Sequence, residues 1–304
     1  MKPTQKTFTS RLLQPYLLIL GLILGLVACN QPETESAPEP RFEAPLQNHE
    51  LSDWWLADGD ANSDTVVIFC QGGPSDSLQF KPGQRTYWRY LPGYARSYKI
   101  FLHQYNTFFP AIFQSEDFTV DDAERITQYS VDILAEAVRY FKGQNKEVWL
   151  IGHSYGAFLV THYLATHPNE ANKVAVLSAR IDVPQETYES HLKGVNGYFE
   201  EGVTFVPDDR DLSTFSEEKR KSYHVKQLLK GSLGSIQHST LMTDKDLTGV
   251  FYFNGDKDDR VGEMTQAEID FLKGKGAKVF KTRYNHSDTF YGLVEAMEAN
   301  EIDW

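Results

Sequence analysis

The sequence predicts an α/β fold in which a mostly parallel central sheet is flanked by helices. Short apolar runs recur along the chain with helical segments between them, which is the pattern of buried parallel strands in α/β proteins. A serine pentapeptide bounded by glycines joins one such run to a helix-like segment. Residues 49–304 are enough for one domain of ordinary enzyme size with a sizeable core.

Six apolar runs are predicted as parallel strands, and one further segment, Leu51–Leu56, as an antiparallel strand at the edge of the sheet. The parallel strands are Thr65–Cys70, Tyr98–Leu102, Glu147–Ile151, Lys173–Leu177, Gly249–Asn254 and Ala277–Tyr284. Between the second and third of these, Asp121–Phe141 carries apolar residues at helical spacing, and Gly143 is its predicted end.

The alternation of strands and helices breaks after Leu177. Residues 181–248 are polar, charged and helix-prone, with predicted helices near Gln185–Phe199 and Ser216–Leu229. Insertions at the carboxyl ends of parallel strands shape the binding crevice of α/β folds. We therefore predict that this insertion is a helical cap over the site; the alternative is a peripheral excursion without a function.

The pentapeptide Gly152–Gly156, with the sequence Gly-His-Ser-Tyr-Gly, follows the apolar run Val148–Ile151 and precedes the helix-like segment Ala157–His167. A serine hydroxyl is a weak nucleophile at neutral pH, so it must be held clear of the backbone and deprotonated by a base. A sharp turn from strand to helix does the first, and the glycines remove side chains that would collide there. Ser154 is therefore the candidate nucleophile.

Candidates for the base and for an acid that orients it follow later strands. The strand Gly249–Phe253 leads into a segment that contains Asp256, Asp258 and Asp259, and His286 follows the strand that ends at Tyr284. Residues just past the carboxyl ends of parallel strands face the same crevice. The chain order is serine, acid, histidine, as in hydrolases with this kind of turn.

These motifs resemble the α/β-hydrolase family, from about residue 50 to the end of the chain. The resemblance implies a serine hydrolase with an α/β-hydrolase fold. Members often carry a Gly-x-x-Asp-x-x-Val turn after the acid strand, and Gly255, Asp258 and Val261 have that spacing. Asp258 is therefore the expected acid, and Asp259 is the alternative.

Two backbone amides are needed to stabilise a developing oxyanion. Tyr155, next to the serine, is expected to supply one, and the loop that contains Gly72 and Gly73 the other. The segment Gln71–Pro74 resembles the His-Gly-Gly-Pro loop of proline iminopeptidases and related esterases, but Gln71 replaces the histidine. Ser75 also stands where a glycine is usual.

The N-terminus is predicted to be a targeting signal. Three basic residues precede the apolar run Leu17–Ala28, which is short for a membrane span. Leu26–Cys29 resembles the lipobox of bacterial lipoproteins, which implies that residues 1–28 are removed and Cys29 carries lipid. Asn30, rather than Asp, implies the outer membrane, with the domain outside the cytoplasm. The alternatives are an ordinary secretory signal and an uncleaved anchor helix.

Residues 29–48 are rich in Pro, Glu, Ser and Gln and are predicted to be a flexible tether. Removing the signal, which carries three basic and no acidic residues, takes the formal net charge from −12 to −15. Such a surface repels nucleic acid, so a nucleic-acid partner is not expected, and any membrane attachment would come from acyl chains. The sequence gives no indication of an oligomeric state.

Apart from Cys29, the only cysteine is Cys70, so no disulfide is expected. Metal-binding spacings such as a helical His-Glu-x-x-His are absent, and neither a metal nor another cofactor is predicted. The aromatic-rich segment Tyr87–Phe113 is either an acyl-binding wall or plain core.

The predicted function is hydrolysis of a small carboxylic ester, or of a short peptide-like acyl amide, through an acyl-enzyme intermediate. One alternative is an aminopeptidase similar to the proline iminopeptidases, with Glu200–Glu201 and the acidic segment Asp208–Asp211 holding the substrate amine. The other is a lipid-anchored binding module that keeps the fold without catalysis.

Overall fold

The computed structural model describes residues 42–79 and 96–302. Within them, seven strands form one sheet and two form a small separate sheet. The main sheet contains β1 (Trp55–Asp58), β2 (Thr65–Cys70), β3 (Tyr98–Leu102), β4 (Glu147–His153), β5 (Lys173–Leu177), β8 (Val250–Gly255) and β9 (Lys278–Thr282), and the small sheet contains β6 (Gly197–Glu200) and β7 (Thr204–Pro207).

The strand order of the main sheet is β1-β3-β2-β4-β5-β8-β9, and all neighbours are parallel except β1 and β3. The predicted antiparallel edge strand is therefore confirmed, although it begins four residues later, because Leu51–Trp54 forms a 3-10 helix. The parallel register aligns the carboxyl ends of β2, β4, β8 and β9 at one edge of the sheet.

Eight α-helices lie within the described residues. They are α1 (Tyr105–Phe108), α2 (Val120–Gly143), α3 (Tyr155–Thr166), α4 (Gln185–Leu192), α5 (Glu217–Ser232), α6 (His238–Leu241), α7 (Gln266–Gly274) and α8 (Phe290–Glu298). α2 begins at a capping box in which the Thr119 hydroxyl accepts a hydrogen bond from the Asp122 amide at 3.2 Å, and it ends at Gly143 as predicted. None of these helices is long and apolar enough to cross a membrane.

Apolar side chains on the two faces of the sheet enter two different cores. Along β4, Val148 and Leu150 pack into the larger core with α2 and α3, whereas Trp149 and Ile151 pack into the smaller core with α8. Successive side chains of a strand point to opposite faces, so a strand covered on both sides must be apolar throughout. This is why the continuous apolar runs identified the strands.

The insertion after β5 is not wholly helical, which corrects the prediction of a helical cap. The helix predicted near Gln185–Phe199 ends at Leu192, and β6 and β7 form an antiparallel hairpin after it. α5 and α6 supply the rest of the regular structure, together with a 3-10 helix at Leu212–Thr214. Phe199 is buried, and its backbone amide donates to the Asp259 carbonyl at 2.9 Å, which ties the hairpin to the loop after β8.

The predicted signal peptide at residues 1–28, the lipid site at Cys29 and most of the tether at 29–48 lie outside the described residues. So does the first part of the aromatic segment. Its described members pack as core: Tyr105, Phe108 and Phe109 lie with Trp54 in one group of stacked and edge-on rings.

Candidate active site

Ser154 lies at the sharp turn between β4 and α3 with φ +54° and ψ −121°. A positive φ is strained for a residue with a side chain, and close backbone packing holds it here. A Cβ on Gly156 would stand 2.3 Å from the Cys70 carbonyl oxygen, and one on Gly152 would stand 2.7 Å from the Ala157 Cα. Both glycines of the pentapeptide are therefore required by close approach of the backbone.

His286 follows β9 and reaches back to the serine. Its Nε2 lies 2.8 Å from the Ser154 Oγ, and its Nδ1 lies 2.9 Å from each carboxylate oxygen of Asp258. The ionised Asp258 carboxylate can only accept a hydrogen bond, so the His286 Nδ1 carries the hydrogen and donates it. In the neutral ring, Nε2 then has a lone pair that faces the Ser154 hydroxyl. The structure thus brings together the three side chains that the sequence singled out.

Asp258, and not Asp259, is the carboxylate that contacts His286. Its carboxylate is fully buried and also accepts hydrogen bonds from the backbone amides of Arg260 at 2.9 Å and Val261 at 3.0 Å. Asp259 points away and pairs with the Arg260 side chain at 3.4 Å, with half of its own side chain exposed. The residue that the Gly-x-x-Asp-x-x-Val spacing indicated is therefore the one whose carboxylate is held by the backbone amides of the turn.

Two further residues, which the sequence analysis did not assign, hold the backbone of His286. The His153 Nε2–H donates to the His286 carbonyl oxygen at 3.1 Å, and the Ser178 hydroxyl lies 2.6 Å from the same oxygen. Burial and the neighbouring His286 lower the pKa of His153 to about 4. His153 is therefore neutral at physiological pH. The position of His153 next to Ser154 was the one feature of the sequence that could have indicated this role.

The loop after β2 is held by side-chain amides. The Gln71 side chain donates from Nε2 to the Ser77 carbonyl at 2.9 Å and accepts at Oε1 from the Gln79 amide at 2.6 Å. Gln104 donates to the Gln71 carbonyl oxygen at 2.6 Å. Gln71, which departs from the histidine of the related loops, thus closes the loop on itself and fixes the backbone that follows it.

The residues expected to bind an oxyanion lie next to the serine. A Cβ on Gly72 would stand 3.2 Å from the Ser154 Cβ, and Gly73 lines the cavity that contains Ser154. Tyr155 is the first residue of α3, where backbone N–H groups have no partner within the helix. Amides so placed can stabilise negative charge on a carbonyl oxygen bound beside Ser154.

The family described as alpha/beta hydrolase fold matches residues 65–267 of the chain. The chain belongs to the alpha/beta hydrolase family. No curated protein matches it significantly. Solved structures with the same fold include one reported for the metagenome-derived lipolytic enzymes LipS and LipT, with 12% identity, TM-score 0.50, and coverage of 81% of this chain and 96% of that one.

Two further similar structures come from named organisms. BpoC of Mycobacterium tuberculosis H37Rv is 12% identical with a TM-score of 0.51, over 81% of this chain and 92% of its own. Est1E of Butyrivibrio proteoclasticus with bound ferulic acid is 16% identical with a TM-score of 0.49, over 81% and 93% respectively. At these identities the likeness is one of fold.

In this alpha/beta hydrolase, two connected cavities meet at Ser154. The smaller, of about 270 Å³, is lined on its apolar side by Phe158, Val183 and Leu233. The larger, of about 680 Å³, extends over the loop after β2. Five residues line both cavities: Gly73, Ser154, Asn196, Lys230 and His286. Asn196 and Lys230 belong to the insertion after β5, which therefore lies against the site.

The other sequence-predicted elements of this hydrolase lie away from the cavities. None of the described members of the aromatic segment lines either cavity, and neither do Glu200–Glu201 or Asp208–Asp211. Glu201 instead pairs with Lys257 at the surface, and Asp208 pairs with Arg210. Within residues 42–79 and 96–302, no group of three or more His, Cys, Asp or Glu side chains is arranged to hold a metal ion.

Proposed function

We propose that the protein is a serine hydrolase that cleaves carboxylic esters through an acyl-enzyme intermediate. The observation that carries the proposal is the unbroken chain of hydrogen bonds from Ser154 through His286 to Asp258, with the serine facing a cavity. A nucleophile, a base within reach of its proton and a buried acid behind the base are the parts that acyl transfer requires.

In the first step the Ser154 oxygen attacks the ester carbonyl carbon while its proton passes to the His286 Nε2. The carbonyl oxygen becomes an oxyanion, which the amide of Tyr155 and that of Gly72 or Gly73 are placed to stabilise. Asp258 keeps the imidazole in the Nδ1–H tautomer and stabilises its positive charge. The intermediate then expels the alcohol, which takes the proton from Nε2, and leaves an acyl group on Ser154.

Water completes the cycle by the same route. His286 takes a proton from a water molecule, the hydroxide adds to the acyl carbonyl carbon, and the resulting oxyanion occupies the same amides. Collapse of this intermediate breaks the bond to the Ser154 oxygen, which recovers its proton from Nε2. The carboxylic acid leaves, and the enzyme returns to its starting state.

The alternative of an aminopeptidase receives no support from the cavities. A substrate with a free amine needs a carboxylate to bind its positive charge, and no Asp or Glu among the described residues lines either cavity. Ester hydrolysis has no such requirement. A non-catalytic binding module does not call for the hydrogen-bonded group of Ser154, His286 and Asp258.

Labelling with a fluorophosphonate probe tests the proposal. The probe reacts with activated serines, so the full-length protein should be labelled and should hydrolyse p-nitrophenyl butyrate, and Ser154→Ala should lose both. Ser213→Ala, an exposed serine outside the cavities, is the matched control and should behave as wild type. A folded wild type that is neither labelled nor active would overturn the proposal.

We further propose that the enzyme is anchored to a bacterial membrane, the outer one, by lipid on Cys29, with the hydrolase domain outside the cytoplasm. The lipobox-like Leu26–Cys29 and the tether-like composition of residues 29–48 support this. Radiolabelled palmitate should be incorporated by cells that express the wild type and not by cells that express Cys29→Ala. Equal incorporation by both would contradict the anchor.

A further inference from the structure

The cavities around Ser154 are lined by cations without a matching acid. Lys230 lines both cavities, Arg260 lines the smaller and Lys226 the larger, whereas no described Asp or Glu lines either. The whole chain has 42 acidic and 30 basic residues, so acids outnumber bases overall. The charged residues that line these cavities show the opposite balance.

Two cations of this cluster, Lys226 and Lys230, have no charged partner among the described residues; Lys226 lies over the Phe113 ring, and Lys230 is the one that lines both cavities. Its Nζ donates to the neutral Asn196 Oδ1 at 3.0 Å, and no carboxylate of the described residues lies within 4.0 Å of it. Arg260, by contrast, pairs with Asp259 at 3.4 Å and is more than half exposed. A partly buried ammonium group with only one neutral acceptor is less stable than one that faces a carboxylate, so a bound anion would stabilise it.

Two groups around Lys230 add positive charge, namely Arg260 from the loop after β8 and Lys226 from its own helix. His191 faces it from α4 and is neutral, because burial and Lys230 lower its pKa to about 4, and His286 faces it across the cavity. None of these groups is an acid that would cancel the charge of Lys230. Burial, followed by the charges of Arg260 and Lys226, lowers the pKa of Lys230 to about 8. In the smaller cavity the buried Thr187 hydroxyl has no hydrogen-bond partner, so a polar ligand atom would find a donor there as well.

We propose that Lys230 binds an anionic group of the substrate, so that the enzyme prefers esters that also carry a carboxylate. This inference rests on the proposed function and names its substrate class. Because Lys230 lines the space that both cavities share with Ser154, an ester bound at the serine can reach it. The insertion after β5 thereby contributes a specificity-determining charge, and the anion restores the partner that the ammonium group lacks.

A matched pair of substrates tests the proposal. The p-nitrophenyl hydrogen adipate and p-nitrophenyl hexanoate have the same leaving group and acyl chains of equal length, and they differ in the terminal carboxylate. The wild type should show a kcat/KM for the adipate ester about tenfold or more above that for the hexanoate ester at neutral pH, a difference of about 1.4 kcal/mol. In Lys230→Met this ratio should fall to about one or below.

Two variants control for charge and for folding. Lys219→Met removes an equal charge from an exposed position on the same helix, α5, and should keep the wild-type ratio. Lys230→Arg keeps the charge and should retain most of the preference. A merely structural role of Lys230 would lower kcat/KM for both esters together, so the ratio, measured on variants with wild-type circular dichroism, separates the two roles.

The pH dependence of the ratio gives an independent readout. The preference of the wild type should decline as the pH rises through about 8, because Lys230 loses its proton there. The hexanoate ester alone, which has no charge to bind, should not show that decline. A preference for the adipate ester that persists at pH well above the pKa of Lys230 would overturn the assignment to this residue.

The failures of the inference and of the proposed function are distinguishable. A wild type that hydrolyses the hexanoate ester as well as the adipate ester overturns the inference and leaves the serine hydrolase standing. If neither ester is hydrolysed and Ser154 is not labelled, the proposed function fails. Binding measured by calorimetry then tests whether Lys230 binds an anionic group. Monoethyl adipate should then bind Ser154→Ala about tenfold more tightly than ethyl hexanoate does, and lose that advantage in Ser154→Ala/Lys230→Met; equal binding would overturn it.

Discussion

His153 donates its Nε2–H to the backbone carbonyl of His286 at 3.1 Å, so the residue before Ser154 holds the backbone of His286. The two imidazole rings lie 5.5 Å apart between centroids. Because the pKa of His153 is lowered to about 4, its ring stays neutral and adds no second positive charge when His286 takes a proton. The turn that presents Ser154 thereby also fixes the position of its partner.

Replacing His153 by Ala should lower kcat about tenfold to a hundredfold, because displacement of a catalytic group by about 1 Å costs this much. KM should change less, since His153 holds His286 rather than substrate. His153→Gln, whose side-chain amide can also donate, should recover part of the loss. Steady-state kinetics on p-nitrophenyl butyrate measures this, and a His153→Ala enzyme with wild-type kcat would show that the contact positions nothing.

The two neighbouring acids should respond very differently to the loss of their charge. Asp258→Asn should reduce kcat about 10³- to 10⁴-fold, because an amide cannot hold His286 in the required tautomer or stabilise its charge. Asp259→Asn, with a half-exposed side chain paired to Arg260, should stay within about twofold of wild type. Equal losses in both variants would contradict the assignment of Asp258.

Much of this fold could be predicted because its strands are buried on both faces. Thr65–Cys70, Tyr98–Leu102 and Lys173–Leu177 were bounded correctly from their apolar runs alone. The hairpin after α4 could not be predicted, because it is held by the loop after β8, where the Phe199 amide bonds to Asp259 and its ring lies against Gly262. Contacts of this kind, between segments far apart in the chain, produce no periodic pattern of apolar residues in the local sequence.

The candidate site, like the fold, contains some features that the sequence could predict and others that it could not. Ser154, His286 and a group of three acids could be found because each follows a strand, and the carboxyl ends of parallel strands meet at one edge. The spacing of Gly255, Asp258 and Val261, which resembles that of the family, then indicated Asp258 among the three. His153 and His286 lie 133 positions apart, and their contact becomes visible only when β4 and β9 are placed in one sheet. Lys230 was missed for a similar reason, since one lysine on a polar helix resembles a solvated charge until the cavity is seen.

The glycines of the turn should be among the least replaceable residues of the domain. In Gly156→Ala the new Cβ would lie 2.3 Å from the Cys70 carbonyl oxygen and 2.4 Å from the Gln71 carbonyl oxygen, and both contacts are with backbone that cannot rotate away. We expect a loss of about 3 kcal/mol or more in the free energy of unfolding. Urea unfolding followed by circular dichroism measures it.

Gly143→Ala is the matched control. Gly143 is the last residue of α2, is exposed, and has no heavy atom within 4 Å of the position of an added Cβ. This substitution should leave the free energy of unfolding unchanged or raise it by up to about 1 kcal/mol, since alanine favours the helix. If Gly156→Ala proved as harmless as Gly143→Ala, the backbone packing at the turn would be looser than described.

Lys230 should make the stability of the free enzyme depend on pH. Its pKa is about 8 in the folded state, below the value of about 10.4 for an unfolded chain, so its charged form opposes folding. Below pH 8 both states hold the proton, and the full cost is present. Between about pH 8 and 10 the folded state releases the proton and the unfolded state keeps it, so the free energy of unfolding rises with pH.

Lys230→Met removes that cost while keeping a side chain of similar length. At pH 7 this variant should be more stable than wild type by about 1 to 3 kcal/mol, and the difference should shrink as the pH approaches 10. Lys219→Met should differ from wild type by no more than about 0.5 kcal/mol at either pH. Urea unfolding at both pH values measures this. A constant difference between Lys230→Met and wild type would mean that the ammonium group is solvated in the free enzyme, and that the cavity is not prepared for an anion.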